Sequence, residues 1–133
     1  MAGSGERTRR LIERLENAEV PIDSQISAAM QSIDVSDFTD YDLEPFWYDR
    51  PLVFLETLKG GVKTISAPHM IATMLHHLEL SSGQEVLILG AKGGYIAALV
   101  AHFVGREGVV VVVDPSREVV NHVRDRLTPV AQT

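Results

Sequence analysis

Two apolar runs in the second half of the chain form the clearest hydrophobic pattern. Val86-Leu87-Ile88-Leu89 stops at Gly90, and Val109–Val113 stops at Asp114. Short apolar runs bounded by glycine predict strands, and runs without polar alternation are typical of parallel strands covered on both faces. A turn reading G-A-K-G-G and an apolar helix over residues 94–104 lie between the runs. This order of strand, glycine-rich turn, helix and strand is typical of a nucleotide-binding βαβ unit.

Apolar residues at helical spacing predict two helices near the N-terminus. The first runs from Arg7 to Ala18 and places three apolar side chains on one face: Leu11, Ile12 and Leu15. Val20-Pro21 ends it. Asp23 or Ser24 can cap the second helix. The apolar face of that helix consists of Ile26, Ala29, Met30 and Ile33.

The same spacing predicts a helix over residues 67–80 and another over residues 116–127. Ser66 is the expected N-cap of the former, and Pro68 stands in its first turn, where a missing N–H costs nothing. The apolar face of this helix consists of Met70, Ile71, Met74, Leu75 and Leu78, and that of the last helix of Val119, Val120, Val123 and Leu127.

The segment over residues 34–51 shows no clear period and is acidic and aromatic. We expect an irregular segment anchored by its aromatic side chains. Packing is favoured over a base-stacking platform because the neighbouring charges are mostly negative. Residues 52–58 fit either a strand or a short helix, and Lys59-Gly60-Gly61 predicts a turn. The aromatic residues are Phe38, Tyr41, Phe46, Trp47 and Tyr48.

Composition and charge exclude several classes of protein. The 133 residues suffice for one domain with a core, and the net charge of −6 argues against nucleic-acid binding. No run approaches the length of a membrane span, and the first residues lack the apolar core of a signal peptide. The chain contains no cysteine, which excludes disulfides and thiolate metal sites. We therefore predict a cytoplasmic protein without a membrane partner.

Several residues of the βαβ pattern are candidates for ligand binding, and each has a structural alternative. Glycines let a ligand approach the backbone, and the following helix offers unpaired N–H groups, but such glycines also occur wherever this turn forms. Asp114 stands where an acid binds ribose hydroxyls, or it caps the last helix. His69 and His76 share a helix face without an evident third ligand, so a metal site is not expected.

Residues Thr64-Ile65-Ser66-Ala67-Pro68-His69-Met70 form the segment T-I-S-A-P-H-M. This segment is similar to one in the protein-L-isoaspartate O-methyltransferases, and the chain resembles that family over residues 7–127. Residues 86–95 are similar to its V-L-E-I-G-T-G-S-G-Y motif, and Asp49-Arg50-Pro51-Leu52 resembles its Y-x-D-x-P-L stretch. Ala29-Met30 and Phe38 are similar to its A-M-x-x-V-P-R-x-x-F segment.

The resemblance implies an activity, a cofactor and roles for particular residues. Members transfer a methyl group from S-adenosylmethionine to the abnormal carboxyl group of isoaspartyl residues in damaged proteins, which begins their repair. Ser66 would be the catalytic residue at the substrate carboxylate, and Asp114 would bind the ribose. The glycine turn and the start of its helix would hold the rest of the cofactor, through Gly90, Ala91, Gly93, Gly94 and Tyr95.

This chain departs from the family pattern in the glycine motif and in its extent. Ile88 replaces the acid of the motif, and Lys92 replaces its middle glycine. The later strands of the family have no counterpart in these 133 residues. We expect weak S-adenosylmethionine binding at most, and the isolated chain to be incomplete or inactive. A catalytically inactive relative that acts as a binding or assembly module is the alternative. A dinucleotide-binding protein is less favoured, because G-A-K-G-G is not G-x-G-x-x-G.

The predicted fold class is α/β: an N-terminal helical cap followed by a partial Rossmann-like methyltransferase parallel sheet. The cap would occupy residues 1–60 and the first half of the methyltransferase domain residues 61–133, within a single compact unit. Because two parallel strands are not expected to stand alone, we predict a homodimer or a partner chain that completes the sheet, with Val109–Val113 as the candidate edge.

Overall fold

A computed structural model describes residues 3–131 of the chain, with side chains up to residue 127. Six α-helices and four strands occur within this range. Short 3₁₀ turns at Val35–Phe38 and Lys92–Gly94 accompany them. In chain order the elements are α1 (Ser4–Asn17), α2 (Ser24–Ser32), α3 (Glu44–Trp47), β1 (Leu52–Glu56), β2 (Val62–Ile65), α4 (Pro68–Leu78), β3 (Glu85–Leu89), α5 (Tyr95–Val104), β4 (Val109–Val113) and α6 (Arg117–Ala131).

The two N-terminal helices confirm their predicted apolar faces. Leu11, Ile12 and Leu15 of α1 are buried, and α1 begins three residues earlier than the sequence predicted. In α2 the cap is Asp23, whose carboxylate accepts a hydrogen bond of 2.8 Å from the N–H of Ile26. Of the two candidates, the chain therefore uses the residue whose charge also suits a helix N-terminus.

The aromatic segment is more regular than predicted, because it contains the 3₁₀ turn and α3. Phe38, Phe46 and Trp47 are buried in the core, which confirms them as anchors. Tyr41 and Tyr48 are 40% and 64% exposed, so their assignment as anchors was wrong. A tyrosine hydroxyl prefers water, which allows these rings to remain at the surface.

An antiparallel hairpin follows the aromatic segment. Residues 52–58 fitted either a strand or a short helix, and the structure contains a strand, β1, which pairs with β2. The turn between them includes the predicted Lys59-Gly60-Gly61. The hairpin crosses the predicted boundary at residue 60, and one core cluster contains residues from both sides of it. The division into cap and sheet region stays a prediction.

Helix α4 begins differently from the prediction. Its N-cap is Ala67, and the helix has no capping hydrogen bond from the side chain of that residue. Pro68 lies in the first turn as expected, and Ile71 and Leu75 are buried. The assignment of Ser66 as N-cap was wrong, because the extended backbone before proline shifts the helix start by one residue. Met70 and Leu78 are largely exposed, so the predicted apolar face is narrower.

Strands β3 and β4 form a parallel pair in which Glu85 lies opposite Val109 and Leu89 opposite Val113. Helix α5 covers one face, where Val86, Ile88, Val110 and Val112 pack against the core. On the other face Leu87 and Leu89 are 61% and 77% exposed, and three valines of β4 are about half exposed. The expectation that both faces are covered was therefore wrong for the residues that the structure describes.

Among the described residues, no helix is both long enough and apolar enough to cross a membrane.

Candidate functional site

The glycine turn begins where β3 ends, at the edge formed by the carboxyl ends of both parallel strands. Gly90 has a φ of 95°, and its N–H donates to the carbonyl oxygen of Val113 over 2.8 Å. A Cβ added to Gly90 would meet no atom within 4 Å. Ligands of open α/β sheets bind in the crevice at this edge. The open face of Gly90 is therefore available to a ligand.

The other two glycines of the turn face the protein interior. Gly93 has a φ of 73°, and a Cβ there would lie 2.9 Å from Cγ1 of Ile65. Gly94 has a φ of 94°, and its Cβ would lie 3.3 Å from a ring carbon of Phe38. These glycines are needed for the backbone conformation and for close packing, so their contribution to a site is to shape the turn.

Asp114 joins the end of β4 to the glycine turn. One carboxylate oxygen accepts from the N–H of Ala91 over 3.0 Å, and the other accepts from the N–H of Ser116 over 2.9 Å. The Ser116 hydroxyl, in turn, accepts from the N–H of Val119 in the first turn of α6. Ser116 thus provides the capping contact that Asp114 was a candidate for. A carboxylate has about four acceptor sites, so Asp114 can still accept bonds from ligand hydroxyls.

Tyr95 contributes to the core with its side chain. Its ring is 1% exposed and makes edge contacts with Phe38 and Phe46 at centroid distances of 5.9 and 5.7 Å. Burial raises the pKa of the Tyr95 hydroxyl far above its usual value, and the charge of Asp34 raises it further. The Tyr95 side chain is therefore part of the core, and its predicted role in cofactor binding rests on its main chain at the start of α5.

The segment that contains Ser66 lies against the glycine turn. Ile65, the last residue of β2, is the residue that Gly93 packs against. Ser66 follows directly and is half-buried, and it makes no hydrogen bond to another described residue. The predicted catalytic serine therefore follows a residue that packs on the glycine turn, and it is not the N-cap of α4.

A pair formed by Asp49 and His69, for which the sequence predicted no role, fixes the start of α4. One carboxylate oxygen of Asp49 accepts from the N–H of His69 over 2.8 Å, and the other lies 2.9 Å from its Nδ1. Asp49 adopts a φ of 58°, which a residue with a side chain rarely does. Both residues lie in segments that resemble family motifs, and that resemblance is the signal by which the sequence could have identified them.

The two substituted motif positions have different environments. Ile88 is half-buried and packs against the core beneath α5. Lys92 is exposed and adopts a φ of 49° in the turn itself. Its ammonium group therefore adds positive charge at the surface of the turn. Within residues 3–131 there is no cluster of three potential metal ligands, including around His69 and His76.

A family model matches residues 6–132 of the chain. It describes protein-L-isoaspartate(D-aspartate) O-methyltransferase. Proteins named protein-L-isoaspartate O-methyltransferase from Methanothrix thermoacetophila and Methanopyrus kandleri are 38% and 36% identical to the chain, over 91% and 89% of its length. These alignments cover 54% and 50% of the two relatives. The chain thus spans about half the length of the curated relatives it matches.

Solved structures of similar proteins superimpose on this chain. A protein-L-isoaspartate O-methyltransferase superimposes with a TM-score of 0.81 at 26% identity, covering 95% of this chain and 39% of the other. A Plasmodium falciparum protein, titled a putative member in complex with S-adenosyl-L-homocysteine, superimposes with a TM-score of 0.77 at 20% identity. That alignment covers 97% of this chain and 56% of the other. The Rossmann-like α/β fold class predicted from sequence is confirmed.

Proposed function

Because this chain belongs to the protein-L-isoaspartate(D-aspartate) O-methyltransferase family, we propose that it carries the cofactor-ribose and substrate-carboxylate regions of such an enzyme. The reaction would methylate isoaspartyl carboxylates in damaged proteins. One observation carries the proposal: the T-I-S-A-P-H-M segment packs directly on the glycine turn through Ile65 and Gly93. The two motifs that resemble the family are therefore neighbours in space.

The residues of the turn fit the ribose end of S-adenosylmethionine. Asp114 is held in one orientation by the N–H groups of Ala91 and Ser116, and its remaining acceptor sites suit a pair of ribose hydroxyls. Gly90 leaves the adjoining space open. A group held in place before binding loses less entropy when the ligand arrives. Asp114 and Gly90 are therefore the strongest candidates for cofactor contact.

Methyl transfer requires little acid–base catalysis from the protein. When bound, the cofactor supplies an activated methyl group that leaves its sulfonium as the substrate carboxylate oxygen forms the new bond. This chain would position the acceptor, and the hydroxyl of Ser66 would donate a hydrogen bond to the substrate carboxylate. Positioning and exclusion of water would supply most of the rate enhancement. The Asp49–His69 pair would fix the position of the Ser66 segment relative to the glycine turn.

The methionine end of the cofactor fits less well. The side chain of Ile88 offers no acceptor to an ammonium group, and the Lys92 ammonium would repel the cationic amino and sulfonium groups of the cofactor. Losing a hydrogen bond to a charged group costs about 1.5–3 kcal/mol, or roughly one to two decades of affinity. We expect isothermal titration calorimetry to give weak or undetectable S-adenosylmethionine binding by this chain. A low-micromolar dissociation constant would contradict this.

The substitution Lys92→Gly isolates the charge effect. It removes the ammonium group at a position whose φ of 49° glycine adopts without strain. We expect tighter cofactor binding and unchanged or slightly higher stability. Lys59→Gly serves as the control, because it removes an exposed lysine that also lies in a turn. Equal cofactor affinities for wild type and Lys92→Gly would show that Lys92 does not affect the site.

The activity is tested with a synthetic peptide that contains one isoaspartyl residue. Methyl transfer is measured by release of S-adenosylhomocysteine, and the same peptide with a normal aspartyl residue is the control. Transfer to the isoaspartyl peptide alone, by this chain or by this chain with a second polypeptide, supports the proposal. Equal transfer to both peptides would contradict specificity for isoaspartyl residues. Cofactor binding without transfer under any of these conditions would argue for the binding-module alternative.

Two further proposals concern the surroundings of the protein. We propose a cytoplasmic location, which the absence of cysteine supports. We also propose that a second copy or a partner chain completes the β3–β4 sheet. The support is that, within residues 3–131, this sheet contains only two strands and exposes one apolar face. Sedimentation equilibrium over a wide concentration range tests self-association.

A further inference from the structure

Lys92 places a positive charge in the glycine turn, next to the residue that Asp114 contacts. One carboxylate oxygen of Asp114 accepts from the N–H of Ala91 over 3.0 Å, and Lys92 is the following residue. Lys92 is exposed, and no carboxylate oxygen among the described residues lies within 4 Å of its ammonium group. The turn therefore places an unpaired cation one residue away from an acceptor for hydroxyl groups.

A second lysine, Lys63, lies on the strand that packs against this turn. It precedes Ile65 by two residues on β2, so the two side chains point to the same face of the strand. Ile65 is the residue that Gly93 packs against. Lys63 is exposed and, like Lys92, takes part in no ion pair within the described part of the chain. Unpaired positive charge therefore lies on both segments that meet at the turn, in a chain of net charge −6.

A phosphate group is the anion that this arrangement suits. In open α/β sheets the phosphates of a bound nucleotide lie at the glycine-rich turn after the first strand of the βαβ unit. Gly90 keeps that space open, since a Cβ there would meet no atom within 4 Å. Lysine binds phosphate as a point charge on a flexible four-carbon stem, so its ammonium can reach the ligand over a range of positions.

The charge of the ligand's tail distinguishes a nucleotide from S-adenosylmethionine. The methionine tail carries two cations and one carboxylate, whereas a phosphate monoester carries about two negative charges at neutral pH. Two unit charges 4 Å apart interact by about 1 kcal/mol in water and by more where water is excluded. Residues 86–95 contain no acid that could offset the ammonium of Lys92. The Lys92 charge therefore favours a phosphate tail and disfavours a cationic one.

We propose that the glycine turn binds a nucleoside 5′-phosphate, with the ribose hydroxyls at Asp114 and the phosphate at the Lys92 ammonium. Such binding requires neither methyl transfer nor S-adenosylmethionine. The methyl-transfer assay and the nucleotide titration can therefore fail independently of each other.

Isothermal titration calorimetry of the full chain with AMP and with adenosine isolates the contribution of the phosphate, because the two ligands share base and ribose. We expect AMP to bind roughly two- to fivefold more tightly, as for an exposed ion pair, and added salt to reduce the difference.

Lys92→Gln removes the charge and keeps most of the side chain at the same φ of 49°. It should make the affinities for AMP and adenosine equal and leave that for adenosine unchanged. Arg106→Gln is the matched charge control, because Arg106 is exposed and precedes β4, at the edge of the sheet opposite the turn. Circular dichroism verifies that both variants are folded.

Two further ligands test whether ribose and phosphate are bound together. Inorganic phosphate and 2′,3′-dideoxyadenosine 5′-monophosphate, which both lack the ribose hydroxyls, should bind about tenfold more weakly than AMP or less tightly still. Undetectable AMP binding would overturn the proposal, as would equal affinities of the wild type for AMP and adenosine. A preference for AMP that persists in Lys92→Gln, or inorganic phosphate that binds as tightly as AMP, would overturn it as well.

Discussion

Replacement of Gly93 by alanine tests whether the glycine turn is held by its packing against the hairpin. The added Cβ would lie 2.9 Å from Cγ1 of Ile65 and 3.1 Å from a ring carbon of Phe54. Both neighbours are buried, so neither can move freely. Gly90→Ala is the matched control, because Gly90 has a similarly positive φ but open space at its Cβ position.

The two variants differ in one contribution to the free energy of unfolding, the overpacking at residue 93. At either position a left-handed conformation costs alanine about 1–2 kcal/mol, offset by about 0.4–1 kcal/mol from the reduced entropy of the unfolded chain. Gly93→Ala adds overpacking, which typically costs about 1–3 kcal/mol. We therefore expect Gly93→Ala to lower the free energy of unfolding by roughly 2–4 kcal/mol and Gly90→Ala by about 1 kcal/mol.

Urea denaturation followed by circular dichroism measures both losses, provided that the urea dependence of the unfolding free energy is unchanged between variants. Cofactor titration in the tighter-binding Lys92→Gly background gives the complementary result: adding Gly90→Ala should leave the protein folded and yet weaken S-adenosylhomocysteine binding, because its methyl group enters the open crevice. Equal stability losses for the two variants would refute the packing argument. A stable Gly93→Ala protein would show that the hairpin does not rest on the turn.

Three further predictions concern polar residues around the turn. Ser66→Ala should change the free energy of unfolding by less than about 0.5 kcal/mol, because Ser66 does not cap α4. Ser66→Asp should remain folded and abolish methyl transfer. An active Ser66→Asp protein would remove the serine from the list of site residues. Asp49→Gly should be more stable than Asp49→Ala by about 1 kcal/mol in thermal unfolding, since both lose the bonds to His69 but only alanine keeps the strain at φ 58°. Asp114→Asn should lower the free energy of unfolding by about 1–3 kcal/mol, because the single amide oxygen can replace only one of the two carboxylate oxygens that accept backbone bonds. The same variant should bind a nucleoside more weakly in calorimetry. Unchanged nucleoside affinity would leave Asp114 with a structural role alone.

The elements that sequence predicted well are those set by local periodicity. The runs at Val86–Leu89 and Val109–Val113 became β3 and β4, and the spacing of Leu11, Ile12 and Leu15 gave the buried face of α1. Periodicity reports which side of an element is apolar, and burial follows from it when a neighbour is present. The resemblance to the family motifs supplied the candidate residues, and the structure places Gly90, Ala91 and Asp114 together at one edge of the β3–β4 sheet.

The pairing of Asp49 with His69 could not be derived from periodicity, since 20 residues separate the two and nothing local brings them together. Asp49 performs the capping that local rules assigned to Ser66. A carboxylate from a distant segment can replace the local cap because the helix N-terminus requires an acceptor and does not require one from the preceding residue. Sequence rules for caps therefore fail where tertiary structure delivers a better acceptor.

The exposed face of the β3–β4 sheet is a second feature that the sequence pattern alone did not predict. The unbroken apolar pattern correctly indicated strands that suit burial on both sides, yet only the α5 face is covered within the described residues. Full burial of a leucine or valine side chain is worth about 1.5–3 kcal/mol, so Leu87 and Leu89 alone leave a substantial part of that gain unrealised. An exposed apolar patch of this kind is typical of an interaction surface. The apolar pattern in the sequence therefore indicates that this face of the sheet is suited to contact with a further layer of polypeptide.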